Sequence, residues 1–452
     1  MKAPRVIMAA AIAAAALAFG GTNSASAAAT SFSTGFQIQN LSNATANVSI
    51  AFVPSGSATP SATVNTTIPA NGAKTYAVLP NEVTSGFSGG AVINSDQQVA
   101  AVVNVIANNN FNYGGAYSGF SAGANTVTLP LLFKGFAQFN SFFNIQNTGT
   151  AATNVTVTYS NGATETKTIQ PGSSERFDQA ANTGLPAGFN GSAIVTSSSQ
   201  PIAAAVVENG PTTLLAYNGF TASSTAPVMP LINSNNANFF TGVAMQNAGD
   251  QATNVTVSYT PSSPQDGTPC TETKTVPAKG TVFFALDAFS ATPPAGANDN
   301  CANGAKFVGS AKVTTNSASQ PLIAVVNQLN QKTNKGEAYE SFDASTATGT
   351  IVLPLIQDRF FNYFTGFNIV NVGTAATNVT CTYSGTSATQ TVQNLQPGGT
   401  ATLVQQGAIQ ANYNGAGVCT ANNASAKIIG VLNQVNPGAA TDAFFVSQAI
   451  NK

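Results

Sequence analysis

The 452-residue chain contains no histidine and no tryptophan. Without histidine the usual general base at neutral pH is missing, and every Ser-His or Cys-His nucleophile goes with it. A zinc site is disfavoured for the same reason, since there is also no Cys-x-x-Cys pair to supply ligands. Charge is scarce: 15 Lys and Arg face 16 Asp and Glu, so 7% of residues are charged, against roughly a quarter in ordinary soluble proteins. A net charge of -1 offers no basic surface to nucleic acid or to an anionic membrane. After the first residues no apolar run reaches membrane-spanning length.

What is present is 43% hydrophobic residues, including 28 Phe, which excludes a disordered, highly charged chain. A surface solvated by hydroxyls and amides gives little repulsion against self-association. Met1 to Ala27 reads as a secretory signal peptide: Lys2 and Arg5 form a positive start, Val6 to Phe19 an apolar run, and Ala25-Ser26-Ala27 a small-residue cleavage site. Fourteen apolar residues are short for a membrane anchor, and no cysteine follows them to carry a lipid.

The stretch Asn147-Thr-Gly-Thr-Ala-Ala-Thr-Asn154-Val-Thr-Val-Thr-Tyr159 returns at Asn247 to Tyr259, at Asn371 to Tyr383 and, in a divergent form, at Asn40 to Phe52. In every copy two asparagines stand seven apart: Asn40 and Asn47, Asn147 and Asn154, Asn247 and Asn254, Asn371 and Asn378. A fixed spacing repeated along one chain marks a module copied in tandem. Alternation through Phe143, Ile145 and Asn147, a turn at Gly149, and alternation through Val155, Val157 and Tyr159 predict a β-hairpin. Later in each module Gly188 to Val195 aligns with Gly86 to Ile93 and with Phe307 to Val313. An apolar run follows (Gln98 to Val103, Gln200 to Val207, Gln320 to Val326, Lys427 to Leu432), then Tyr117, Tyr217, Tyr339 or Phe444. Leu-Pro-Leu-type strands at Leu129, Met229 and Leu353 lead into the next module.

These features predict an all-β protein of four tandem antiparallel β-sandwich modules with seven or so strands each: residues 28–126, 127–226, 227–350 and 351–452, the third with two insertions. The hairpin from Ile145 to Tyr159 and from Ile369 to Tyr383 resembles the N-terminal half of the immunoglobulin-like, CARDB-type modules of bacterial secreted surface proteins. The motif covers about fifteen residues of each module, and the later Gly-Phe-Asn-Gly-Ser-Ala and Leu-Pro-Leu elements depart from that pattern. The resemblance implies an extracellular stalk, spacer or adhesive array, and it carries over no catalytic residue.

The four cysteines fall two in the third module, Cys270 and Cys301, and two in the fourth, Cys381 and Cys419. In an exported chain they are disulfide candidates. Three connectivities are possible, and pairing within modules is the expectation. Cys381 and Cys419 stand where the second module has Val157 and Val195, whereas Cys270 and Cys301 fall in the insertions around Pro261 to Pro269 and Ala291 to Asn303.

Other motifs have structural explanations. Gly86-Phe87-Ser88-Gly89-Gly90 matches a nucleophile elbow, but the equivalent residues are Asn190 and Val308, so Ser88 reads as a turn residue. The acids, among them Glu82, Asp96, Glu175, Asp178, Asp287 and Glu337, read as scattered and non-repeating, not as the paired carboxylates of glycoside hydrolysis. Asn47, Asn154, Asn254 and Asn378 begin formal glycosylation triplets, yet a turn followed by a strand needs the same residues. Asn298-Asp299-Asn300 is too small a patch for calcium, which takes six or more oxygens. Phenylalanines clustered at module junctions (Phe133, Phe136, Phe139, Phe142, Phe143; Phe360, Phe361, Phe364) read as packing residues.

No enzyme, cofactor, catalytic residue or metal ligand is expected. The expected protein is a secreted or surface-associated structural or adhesive repeat protein, with self-association or other surface components as partners. A glycan- or ligand-binding array is the rival expectation, although the platform residue Trp is missing. Three Leu-Pro-Leu strands for four modules leave one terminal module short of a strand, and pairing with another chain would satisfy its edge. End-to-end assembly is therefore a further expectation, with the tail Phe444 to Ile450 as candidate donor.

Overall fold

The computed structural model describes residues 31–107, 113–294, 296–330, 332–333, 335–439 and 442–452, together with the backbone of residues 5–10. Apart from two single-turn 3-10 segments, Pro264–Asp266 and Ala344–Thr346, its regular elements are β-strands. All the ladders are antiparallel, so the protein is all-β as expected. Among the described residues no helix is long and apolar enough to cross a membrane.

One strand plan recurs four times. A motif strand (Phe32–Asn40, Phe139–Asn147, Phe239–Asn247, Tyr363–Asn371) is followed by a valine strand (Ala46–Pro54, Thr153–Tyr159, Thr253–Pro261, Thr377–Tyr383). Next come an outer strand (Ala62–Ile68, Thr164–Ile169, Cys270–Val276, Thr389–Leu395) and a short strand (Ala73–Tyr76, Ser174–Asp178, Thr281–Phe284, Thr400–Val404). A middle strand (Gly89–Ser95, Phe189–Ser197, Phe307–Thr315, Tyr413–Ala421) and an apolar strand (Val99–Ala107, Ile202–Asn209, Leu322–Asn330, Ile428–Val435) follow. A tyrosine strand (Gly114–Ser118, Leu214–Asn218, Lys335–Glu340, Phe444–Gln448) closes the plan. In copies two to four a lead strand opens it: Thr126–Phe136, Pro227–Ser234 and Thr350–Phe360.

Each copy forms two sheets. One runs outer, valine, middle, lead; the other runs short, motif, apolar, tyrosine. In copies two and four the lead strand also pairs with the motif strand, so the two sheets join. The Thr-Val alternation explains the valine strand directly: Thr153, Val155, Val157 and Tyr159 are buried while Asn154 and Thr158 face solvent.

The repeated asparagines close each sandwich. Asn147 ends its motif strand, and its amide Nδ2 donates to Ala151 O at 2.7 Å and to Ile169 O, the last residue of the outer strand, at 2.9 Å. Its Oδ1 accepts the Gly149 N–H at 2.9 Å. Asn40, Asn247 and Asn371 make the same three bonds in their own copies. All four are fully buried, where an unpaired amide or carbonyl would be costly. The second asparagine works at the surface: Asn154 Oδ1 accepts from Thr168 Oγ1 at 2.7 Å, and Asn254 Oδ1 from Thr275 Oγ1 at 2.7 Å.

The chain divides into two compact units, one of Met1–Thr221 with Thr441–Ala443, the other of Ala222–Ala440 with Phe444–Lys452. In the first unit Phe32 of copy one meets Phe142 of copy two at 5.2 Å, and Phe142, Ala203, Ala205 and Val207 share one core with copy one. In the second unit Phe444 of copy four meets Phe239 of copy three at 5.7 Å, with Val431 and Val446 in the same core. Copies therefore pack in pairs through their motif, apolar and tyrosine strands.

Three expectations change. Ser447, not Phe444, takes the tyrosine position in copy four: it faces Leu432 as Tyr217 faces Val206. The tail is not a free donor, because Phe444–Gln448 pairs with Ile428–Val435 and Ile450 pairs with Val352 of the lead strand. Cys270 lies not in an insertion but at the first residue of the outer strand, opposite Tyr259.

Replacing Asn147 by Ala removes three hydrogen bonds, one of them to the buried Ile169 carbonyl. A loss of about 2–3 kcal/mol in denaturant unfolding is expected, against under about 1 kcal/mol for Asn154→Ala at the exposed position.

Candidate functional site

The lead strand is where the copies differ most, and its proline dictates its geometry. Leu129 faces Ala193 and Leu132 faces Gly191, so two lead residues, Pro130 and Leu131, oppose a single one. The same shift separates Met229 from Ile232 and Leu353 from Ile356. Proline has no N–H for the ladder, and a bulge at that point keeps the rest of the strand in register. The freed backbone groups are met from the opposite sheet. The Tyr217 hydroxyl accepts the Leu131 N–H at 3.3 Å and donates to Leu131 O. The Tyr339 hydroxyl accepts the Leu231 N–H at 3.1 Å and donates to Leu231 O. Both rings are fully buried, and burial pushes the Tyr339 phenol far above its ordinary pKa, keeping the proton it donates.

Copy one has no Leu-Pro-Leu strand. Its place beside Gly89–Ser95 is taken by Arg5–Ala10, with Val6 opposite Ile93 and Met8 opposite Ala91, the register positions held in copy two by Val127 opposite Val195 and Leu129 opposite Ala193. These six residues belong to the expected leader; the rest of Met1 to Ala27 lies outside the described residues. Tyr117, opposite Val103, is the counterpart of Tyr217 and is 3% exposed, yet among the described residues its hydroxyl has no hydrogen-bond partner. Burial raises its pKa as well.

The carboxylates do repeat at one position, contrary to the sequence reading. Glu165 faces Val157 and Glu272 faces Val257, and each accepts a hydrogen bond from its copy's tyrosine, Tyr159 or Tyr259. In copy four Gln390 takes the role with Tyr383, joined by Gln405 at 3.1 Å from the hydroxyl. Copy three adds Lys274, whose Nζ lies 2.9 Å from Glu272 and 2.6 Å from Asp287. Desolvation pulls the Lys274 pKa down, but hydrogen bonds to Asp287 and Glu272 outweigh it and leave the pKa raised. These acids are engaged in structural bonds. Of the others named above, Asp96 accepts from Asn47 and Asp178 pairs with Arg176 at 3.0 Å.

Ser88 sits in the turn before its middle strand, and its carbonyl accepts the Ser55 N–H at 2.9 Å. Asp299 and Asn300 are tied to backbone, accepting from the Cys301 N–H at 3.1 Å and from the outer-strand Thr271 N–H at 2.6 Å. Among the described residues no group of three or more His, Cys, Asp or Glu is placed to hold a metal. Both disulfides form within copies, Cys270 with Cys301 and Cys381 with Cys419. Cys381 and Cys419 are direct cross-strand neighbours at the position where Val157 faces Val195.

An open cleft of about 720 Å³ lies at the lead-motif hairpin of copy three, lined by Asn235, Phe239, Phe240, Leu286, Phe289 and Lys332 among others. The hairpin turns with positive φ at Ala237 and Asn238; in copy four Phe361 takes the first of these positions and is 76% exposed. The junction phenylalanines are therefore divided, with Phe142 and Phe143 in cores and Phe136 and Phe361 exposed. Neither a protein-family model nor a curated protein matches the chain.

Tyr339→Phe is expected to cost about 1–3 kcal/mol, because it leaves the bulge groups of Leu231 unpaired in a dry interior. Tyr117→Phe removes a hydroxyl with no partner among the described residues and should be neutral or slightly stabilising, both variants being compared by thermal unfolding. A second expectation concerns Asp358. Its carboxylate is wholly buried and accepts from Arg359 Nε at 2.7 Å and from the Gly407 and Ile409 N–H groups at 2.8 and 2.9 Å. Desolvation raises its pKa, but these donors together hold it below 3.8. Its contribution is thus complete above that value and fades as pH falls through it towards the lower folded-state pKa. Asp358→Asn should flatten the acid limb of the stability-pH curve.

Proposed function

We propose that the chain is a secreted, non-enzymatic structural or adhesive repeat protein of the cell surface, built from four immunoglobulin-like sandwich modules of the CARDB-like kind. The observation that carries this reading is that the repeated residues are spent internally: each conserved-position asparagine makes the same three bonds within its own copy. Repetition in this chain thus builds a scaffold, not a repeated reactive site. The charge-poor composition favours association over dispersal, and two disulfides suit an oxidising extracellular setting. On this reading the leader Met1 to Ala27 is removed on export, and the mature chain joins itself or other surface components.

A second reading, an extracellular glycan- or ligand-binding array, is favoured by one observation. The cleft of copy three brings Phe239, Phe240 and Phe289 together with Asn235 and Lys332, a mixture of apolar walls and few polar residues that suits small ligands. Tyr217 is fully buried and offers a sugar no platform; Phe240 and Lys332 are the proper probes.

Electron microscopy of native cells with labelled protein should place the chain in a surface layer or filament; label confined to the cell interior would sink the proposal. On a glycan array the mature chain should show no selective binding. Selective binding abolished by Phe240→Ala and Lys332→Ala would establish the second reading instead.

A further inference from the structure

We propose that the first copy is a strand-accepting module: once the leader is gone, the slot beside Gly89–Ser95 receives an extended segment from a different polypeptide. The inference rests on the export reading and names the site through which the surface protein is joined to a partner.

Two independent signs converge on the slot. Copies two to four each fill it with a lead strand bearing Pro130, Pro230 or Pro354, and the first copy has no Pro-bearing counterpart among the described residues. Its occupant, Arg5–Ala10, lies in the segment that export removes. Loss of that segment would leave Ala28 to Ser31 before the motif strand, four residues where copy two uses eleven for the lead strand alone. The vacated edge would expose the unpaired N–H and C=O groups of the middle strand, the template for β-strand addition. Tyr117 supplies the second, independent sign: its buried hydroxyl is unpaired, whereas the hydroxyls of Tyr217 and Tyr339 are held by the bulges of Leu131 and Leu231. The seat for a Pro-Leu bulge is present and the bulge is missing.

The register specifies the incoming strand. It runs antiparallel to Gly89–Ser95, with a β-branched residue opposite Ile93, Leu or Met opposite Ala91, then Pro-Leu to make the bulge that Tyr117 clasps. Among its described residues a second copy of this chain has no such segment free to give. Its three lead strands are each paired on a second side as well, the Thr126–Phe136 strand with the motif strand, Pro227–Ser234 with Phe342–Asp343, and Thr350–Phe360 with both the motif strand and Ile450–Asn451. Its tail is used internally. The donor is therefore another protein with an apolar, Pro-bearing strand free at one of its ends.

The test uses the chain beginning at Ala28 and a labelled synthetic peptide of the sequence Thr350–Asp358. Saturable binding is expected, with hydrogen-exchange protection appearing across Gly89–Ser95, and a scrambled peptide should not bind. If the first copy is unfolded without the peptide, its recovery on adding the peptide supports the proposal equally. Tyr117→Phe should weaken peptide binding about tenfold, one lost hydrogen bond, while leaving the melting temperature of the peptide-free chain unchanged. Three results would overturn the proposal: full protection of Gly89–Ser95 in the free chain, absence of specific peptide binding, or oligomers of the chain alone whose dissociation exposes Gly89–Ser95, which would assign the slot to a second copy. Intact mass of the secreted protein tests the underlying reading separately, since a retained leader contradicts export processing without bearing on whether the open slot binds the peptide.

Discussion

The structure depends on holding two face-to-face sheets together at their ends, and a buried amide recurs at that corner in each copy. Asn147 stands at the end of one sheet and donates to Ile169 at the end of the other, while also holding the intervening turn through Ala151 and Gly149. An apolar residue there would fill the space but leave these backbone groups unmet, and buried unmet groups cost more than the contact returns. Everything that varies between copies, the insertions, the cysteines and the lead strand, hangs on a sandwich closed at this corner.

Scarcity of charge changes how the interior and surface are specified. With few ion pairs available, the cores use tyrosine hydrogen bonds to a carboxyl or amide side chain at one recurrent position: Tyr159 with Glu165, Tyr259 with Glu272, Tyr383 with Gln390. The tyrosine of the valine strand keeps its proton because burial disfavours the phenolate, so the partner can be Glu or Gln without changing the direction of the bond. The substitution of a disulfide for a valine pair at Cys381 and Cys419 follows the same economy, since both arrangements fill a direct cross-strand position in the core.

Much of the fold was legible in the chain because strands are written locally. Alternation at period two placed the valine strands, and the aligned Gly188 to Val195 and Gly86 to Ile93 segments are indeed equivalent middle strands facing equivalent partners. Pairing of cysteines within copies was also readable, since Cys381 and Cys419 replace residues already assigned to the core. Other features escaped. The Phe444 alignment slipped because a tail lacking tyrosine carries no marker of register, and the recurrence of Glu165 and Glu272 was hidden by the insertion that separates Tyr259 from Cys270. The partnership of Tyr217 with Leu131 spans 86 residues and left only the co-occurrence of an Ala-Tyr pair with a Leu-Pro-Leu strand as a clue.

The sequence by itself therefore determined the class of fold, the repeat and its spacing, and the absence of the residues on which common catalysis depends, because each is a property of neighbouring residues or of inventory. Only the tertiary structure decided that copies pack in pairs, that the tail is already used, that Tyr217 is interior, and that the Tyr117 hydroxyl has no partner among the described residues. Those outcomes turn on which backbone groups remain unpaired once distant strands meet, a quantity that no local pattern encodes.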